Sequence, residues 1–204
     1  MNLFLINTNA LKAAIAHCDK HCVKMILETT QLLYCAWHMN RPGTLALTEV
    51  VASDPCPHKA YKCTHKNHPS SRWVRAHAAH YKWALCLGFA LCAEYTRRYG
   101  KIHKCQSHLD RLHLLGYPKP SKHAAKTAKS HPPIAKRALV GIPRGCKYFD
   151  CAINDEVFDS CASYDEEGRL HGVNTYRNYY MTKGTDKWTL KWGRDVDAKP
   201  SWFQ

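Results

Sequence analysis

The sequence predicts a mainly α protein: a compact helical domain with long irregular basic and acidic insertions. Three observations predict it. Leu11 to Met39 contains neither Pro nor Gly and repeats its apolar residues at helical spacing. Between Pro69 and Gly100, Trp73, Val74, Tyr81, Ala84, Leu85, Gly88, Leu91, Cys92 and Tyr95 recur at three- and four-residue steps. With 204 residues, 45% of them apolar, the chain can bury one sizeable core.

The elements follow in order. Asn7, Thr8 and Asn9 are N-cap residues ahead of the first helical stretch, which is one long helix or two in succession. Arg41-Pro42-Gly43 stops it. A loop with Pro55, Pro57 and a group of His and Cys leads to Pro69, which suits the first turn of one amphipathic helix ending at Gly100. A shorter helix from about Lys101 to Leu115 ends at Gly116 and Pro118. Residues 1–116 form the helical core. Residues 117–173 join a basic linker, with four Pro and six Lys/Arg between 117 and 137, to an acidic insertion holding Asp150, Asp155, Glu156, Asp159, Asp165, Glu166 and Glu167. Residues 174–204 form an aromatic and basic C-terminal segment expected to pack on the core.

Charge narrows the choice of partner. The net charge is +14, with +15 on residues 1–137 and −1 on the remainder. A field this positive on a small protein favours a polyanion, because each neutralised phosphate releases counterions. Nucleic acid is the expected partner, and charge alone does not separate DNA from RNA. The longest apolar run, Ala84 to Ala93, is about half a membrane span, so no membrane partner is expected. Leu3 to Ile6 is too short for a secretory signal core, so the expected location is the cytoplasm. Eleven cysteines, an odd number, then read as thiols or metal ligands rather than a disulfide framework. Cys56, His58, Cys63, His65 and His68 lie within 13 residues but lack a C-x2-C pair, so a structural zinc is one option and no cofactor is required. Cys86 and Cys92 read as small core residues.

The chemistry concentrates on the first helical stretch. At 100° per residue, His21, Lys24, Glu28 and Gln31 fall within an 80° sector, with Val23, Ile26, Leu27, Leu32 and Leu33 available to the core. Glu28 is one of six carboxylates in the basic portion. A carboxylate in a cationic cleft is suited to stabilising a developing cation or moving a proton. On an ordinary helix surface the same residues would be only a Lys24–Glu28 pair.

The run Asp19-Lys20-His21, with Glu28 seven residues after the His, resembles the phage pyrimidine-dimer DNA glycosylase family of the endonuclease V type. The short apolar start, the stretch His68 to Gly100 and the Tyr-rich run Tyr176 to Tyr180 are similar to further parts of that family, in pieces covering about half the chain. The resemblance implies a helical protein that binds double-stranded DNA, in which the chain's own α-amino group attacks the deoxyribose C1′, Glu28 assists, and β-elimination cuts the strand. It makes His21 a group that orients the sugar or phosphate. It makes His68, Arg72 and Arg75 phosphate contacts, and Tyr176, Arg177 and Tyr180 residues that hold the opened duplex. Residue 2 is Asn where the family exposes a small Thr, so Met1, Asn2 and Lys24 are all candidate carriers of the amine. Leu27 and Gln31 stand where the family has arginines. Two alternatives remain on the same fold: a non-enzymatic nucleic-acid-binding protein, and a phage DNA base-modifying transferase.

Overall fold

The computed structural model describes residues 2–45, 54–122, 124, 136–184, 189–193 and 199–203. Among these residues the protein is mainly α, with seven helices and one two-stranded pair. No helix among them is long and apolar enough to cross a membrane.

The first predicted helical stretch is two helices. α1, Ala10–Ala16, starts at Asn9, whose side chain accepts the Lys12 N–H. α2, Asp19–Asn40, follows an extended His17-Cys18 joint. The joint persists because its amides have acceptors outside the helix: Cys18 N–H donates to the Tyr180 hydroxyl (2.9 Å) and Asp19 N–H to the Lys191 carbonyl (2.7 Å). The second stretch is also divided, against expectation. α3, Pro69–Ala76, and α4, Ala78–Tyr99, meet at His77, which is extended (φ −152°, ψ 146°) and caps α4 by accepting the Ala79 N–H on its own side chain. Gly100 closes α4 in the left-handed conformation (φ +63°), as the sequence predicts. α5, Gln106–Leu115, starts later than Lys101 and ends at Gly116.

α4 packs across α1 and α2, with α3 and α5 beside them. The N-terminal segment Leu3, Phe4, Leu5 and Ile6 is buried in this core. Most of the basic run at 117–137 (residues 123 and 125–135) lies outside the described residues. The acidic insertion is more regular than its composition predicts. β1, Arg137–Ala138, pairs antiparallel with β2, Phe149–Asp150, and is followed by α6, Asp155–Cys161, and α7, Gly172–Met181. Phe149, Cys151, Phe158 and Leu170 from this part, and Tyr176 and Tyr180 of the C-terminal segment, enter the same core as the first helices. Several of its acids are paired: Asp150 with Arg137, Asp155 with Lys136, and Asp165 and Glu167 with Arg169. His171 caps α7 through the Asn174 N–H. Gly141 (φ +59°) lies against that imidazole, where a Cβ would collide with the ring.

One buried ion-pair cluster joins the far end of α4 to the start of α2. Arg98 donates to Glu94 (2.5 Å), to Asp19 (2.9 Å) and to the Ile15 carbonyl (3.0 Å), and both Arg98 and Glu94 are buried. Arg97 also donates to Glu94 (2.8 and 2.9 Å), so removing Arg98 leaves the buried carboxylate with one half-exposed arginine, at a cost of about 1.5–3 kcal/mol. Arg98→Met is therefore expected to lower unfolding stability by roughly that amount in urea titrations. An unchanged midpoint would show that the cluster does not hold this junction.

Candidate active site

Burial of Leu3 to Ile6 fixes where residue 2 emerges, and α2 brings Glu28 to that point. The Asn2 backbone N–H donates to Glu28 Oε2 at 2.8 Å. The Asn2 side chain is held as well. Its Nδ2 donates to the Ala152 carbonyl (2.9 Å), and its Oδ1 accepts from the Tyr176 hydroxyl (3.1 Å) and the Leu3 N–H (2.7 Å). The Tyr176 hydroxyl in turn accepts the Ala152 N–H (2.9 Å), which closes a ring of hydrogen bonds around an amide side chain. Asp could not supply the donor this ring needs.

The predicted polar stripe of α2 faces this point. Glu28 is largely covered, at 12% exposure, whereas Lys24, 3.4 Å away, is 67% exposed. His21 is half-buried, its Nδ1 2.7 Å from the Tyr180 hydroxyl and its ring 4.9 Å from that of Phe4. Burial, reinforced by the charges of Lys24 and Lys183, lowers its pKa to about 4. His68 accepts the Ser70 N–H on Nδ1 at the start of α3, which leaves the imidazole proton on Nε2. Burial also lowers its pKa to about 4, and the Glu28 carboxylate opposes that shift, so His68 senses the same site. At neutral pH both imidazoles are uncharged.

The acid of the D-x-H run has a different part. Asp19 accepts Arg98 on one oxygen and the Gly193 N–H (2.8 Å) on the other, so it ties α2 to α4 and to the C-terminal segment.

Several expectations are corrected. Tyr176 and Tyr180 are fully buried and cannot touch DNA; their hydroxyls reach Asn2 and His21 from behind. Val23 and Leu27 are not core residues but are 38% and 37% exposed. Cys86 is exposed, whereas Cys92 is buried as expected. The Cys/His group at 56–68 does not converge. Cys56 meets His108 Nδ1 (3.3 Å), Cys63 meets Cys35 of α2 (2.7 Å between sulfurs), and His68 serves α3. Among the described residues no three His, Cys, Asp or Glu side chains are arranged to hold a metal, and all eleven cysteines are free.

Of the other candidates, Met1 lies outside the described residues. Arg75 already donates to the Lys66 carbonyl and to Ser71, and Arg72 lies in the field of Asp150. Arg177 donates to the Ile6 carbonyl (3.0 Å) and lies over the Trp202 ring. The sequence carries no signal for the Ala152 backbone contact, and composition alone does not turn the two tyrosine hydroxyls inward. The four-residue spacing of Tyr176 and Tyr180 on one helix face was the available signal.

Comparison of the chain with family models, with curated proteins and with solved structures finds no match.

Six histidines carry lowered pKa values, chiefly through burial: His17 at about 3, His21, His68, His80 and His108 at about 4, and His103 below its ordinary value. In the unfolded chain each titrates near 6.5, so between these values the unfolded chain binds more protons. The stability from keeping them neutral is fully present above about pH 6.5 and is lost as pH falls through about 4. Thermal unfolding from pH 7.5 to 4.5 should show a steadily falling Tm; a flat profile would contradict the neutral, buried imidazoles.

Proposed function

We propose that the protein is a DNA glycosylase with abasic-site lyase activity, acting on damaged (pyrimidine-dimer) or modified bases through an imine between the amine of residue 2 and the deoxyribose C1′. The observation that carries this reading is the 2.8 Å contact between the Asn2 nitrogen and the Glu28 carboxylate. Removal of Met1 makes that nitrogen an α-amine, already in hydrogen-bond contact with an acid.

Amine basicity supports the choice. An α-amine of pKa about 7.7 is about one-sixth neutral at pH 7, whereas an unperturbed lysine is neutral about once in a few thousand molecules. Lys24, mostly exposed and beside Glu28, is the weaker candidate. In the proposed reaction the amine lone pair attacks C1′, the C1′–base bond breaks and its electron pair leaves with the base, which takes a proton from solvent. The amine loses protons, one of them through Glu28, which returns it to O4′ as the sugar ring opens to the imine. Loss of a C2′ proton then breaks the C3′–O bond and releases the 3′ phosphate. Water hydrolyses the imine and frees the amine. Neutral His21 and His68 flank the site as hydrogen-bond donors for sugar or phosphate oxygens. The +15 of residues 1–137 supplies the attraction for duplex DNA.

Asn at position 2 favours a second reading, in which the initiator Met stays, the Asn2 nitrogen remains an amide, and the protein binds DNA without chemistry. Incubation with duplexes carrying an abasic site or a pyrimidine dimer, with borohydride present, separates the two. The expected result is strand cleavage and a covalent protein–DNA adduct with the wild type. Glu28→Gln should lose at least a hundred-fold in cleavage while DNA affinity holds, in line with the roughly 10²–10⁴-fold value of a positioned proton-transfer group. Salt-sensitive binding with no adduct on any such duplex would favour the second reading, and unchanged cleavage by Glu28→Gln would remove Glu28 from the mechanism.

A further inference from the structure

Tyr176 and Tyr180 lie four residues apart on one face of α7, fully buried, and each sends its hydroxyl to a different member of the candidate site. The Tyr176 hydroxyl receives the Ala152 N–H and donates to Asn2 Oδ1. The Tyr180 hydroxyl receives the Cys18 N–H at 2.9 Å and lies 2.7 Å from His21 Nδ1. The Cys18 N–H can only donate, which occupies one lone pair of the Tyr180 oxygen and leaves the hydroxyl proton available to His21 Nδ1. A neutral imidazole that accepts on Nδ1 carries its hydrogen on Nε2.

Resting on the reading above, we infer that Tyr176 and Tyr180 are positioning residues: Tyr176 fixes the attacking nitrogen through the Asn2 side chain, and Tyr180 sets His21 in its Nε2–H form as a hydrogen-bond donor to the reacting sugar. Neither tyrosine meets the substrate, since both are sealed from solvent. Their grip is stiff. Both rings pack edge-on against Phe4 (centroids 6.2 and 5.2 Å away), which belongs to the same N-terminal segment as Asn2. α7 therefore acts as a rail that sets the amine and the imidazole in one register. A displacement near 1 Å at such a site can cost about a hundred-fold in rate.

Tyr176→Phe and Tyr180→Phe in the full chain remove one oxygen each and keep the packing rings. Two readouts test the inference. Nitrogen-15 NMR of the wild type should show His21 as the Nε2–H tautomer and the two Asn2 side-chain amide protons in slow exchange. Tyr180→Phe should mix the His21 tautomers, and Tyr176→Phe should shift the Asn2 side-chain amide resonances and speed their exchange with solvent. Single-turnover adduct formation on an abasic duplex should fall about ten- to a hundred-fold in each variant, with DNA affinity within about two-fold of wild type. An Nδ1–H tautomer in the wild type overturns the inference even if a variant fails to fold, as does a variant that leaves its target resonance or the rate unchanged. If the wild type forms no adduct, the proposed function falls, while the resonances still decide whether the hydroxyls hold Asn2 and His21.

Discussion

The backbone nitrogen of Asn2 sits 2.8 Å from the Glu28 carboxylate because the chain start is pinned on both sides. Behind it, Leu3 to Ile6 are buried among the helices, which removes the freedom a terminal segment ordinarily keeps. Beside it, the amide side chain of Asn2 is closed into a hydrogen-bonded ring with Ala152 and Tyr176. Ordering a terminus costs conformational entropy, about 1–2 kcal/mol per residue for the backbone alone. Here buried apolar side chains and a satisfied polar ring offset that cost. The functional reading rests on this placement, since a frayed terminus would present no amine to any acid.

The distribution of charge gives Glu28 its standing. Of the six carboxylates in residues 1–137, Asp19 and Glu94 are taken by arginines of α4, Asp54 by Arg111, and Asp110 lies within reach of Gln106. Glu49 lies outside the described residues. Glu28 instead accepts the Asn2 N–H and lies 3.4 Å from a mostly exposed lysine. The neighbouring His21 and His68 are neutral and bring ring nitrogens without added charge. In the proposed reading, the +15 of this portion supplies the attraction for DNA phosphates.

Much of this was legible in the sequence. Helical spacing placed His21, Lys24, Glu28 and Gln31 on one face, and the glycine stops at Gly100 and Gly116 end α4 and α5 as predicted. What escaped prediction depended on partners distant in sequence or on unusual local chemistry. α3, α4 and α7 are each capped by a histidine ring nitrogen, at His68, His77 and His171, a role usually filled by Ser, Thr, Asp or Asn. The division at His77 was missed for that reason. Val23 and Leu27 carry apolar side chains, but burial depends on which helices cover α2, and spacing along one helix does not contain that. Tyr176 and Tyr180 read as surface aromatics because their contacts, to Asn2 and His21, lie 174 and 159 residues away in sequence.

The most direct test is to map where borohydride-trapped DNA is attached. Peptide fragmentation of the adduct formed on an abasic duplex should place the sugar remnant on the α-nitrogen of a chain that begins at Asn2. Attachment to Lys24 or another side chain, or an adduct on a protein that still begins at Met1, would contradict the account.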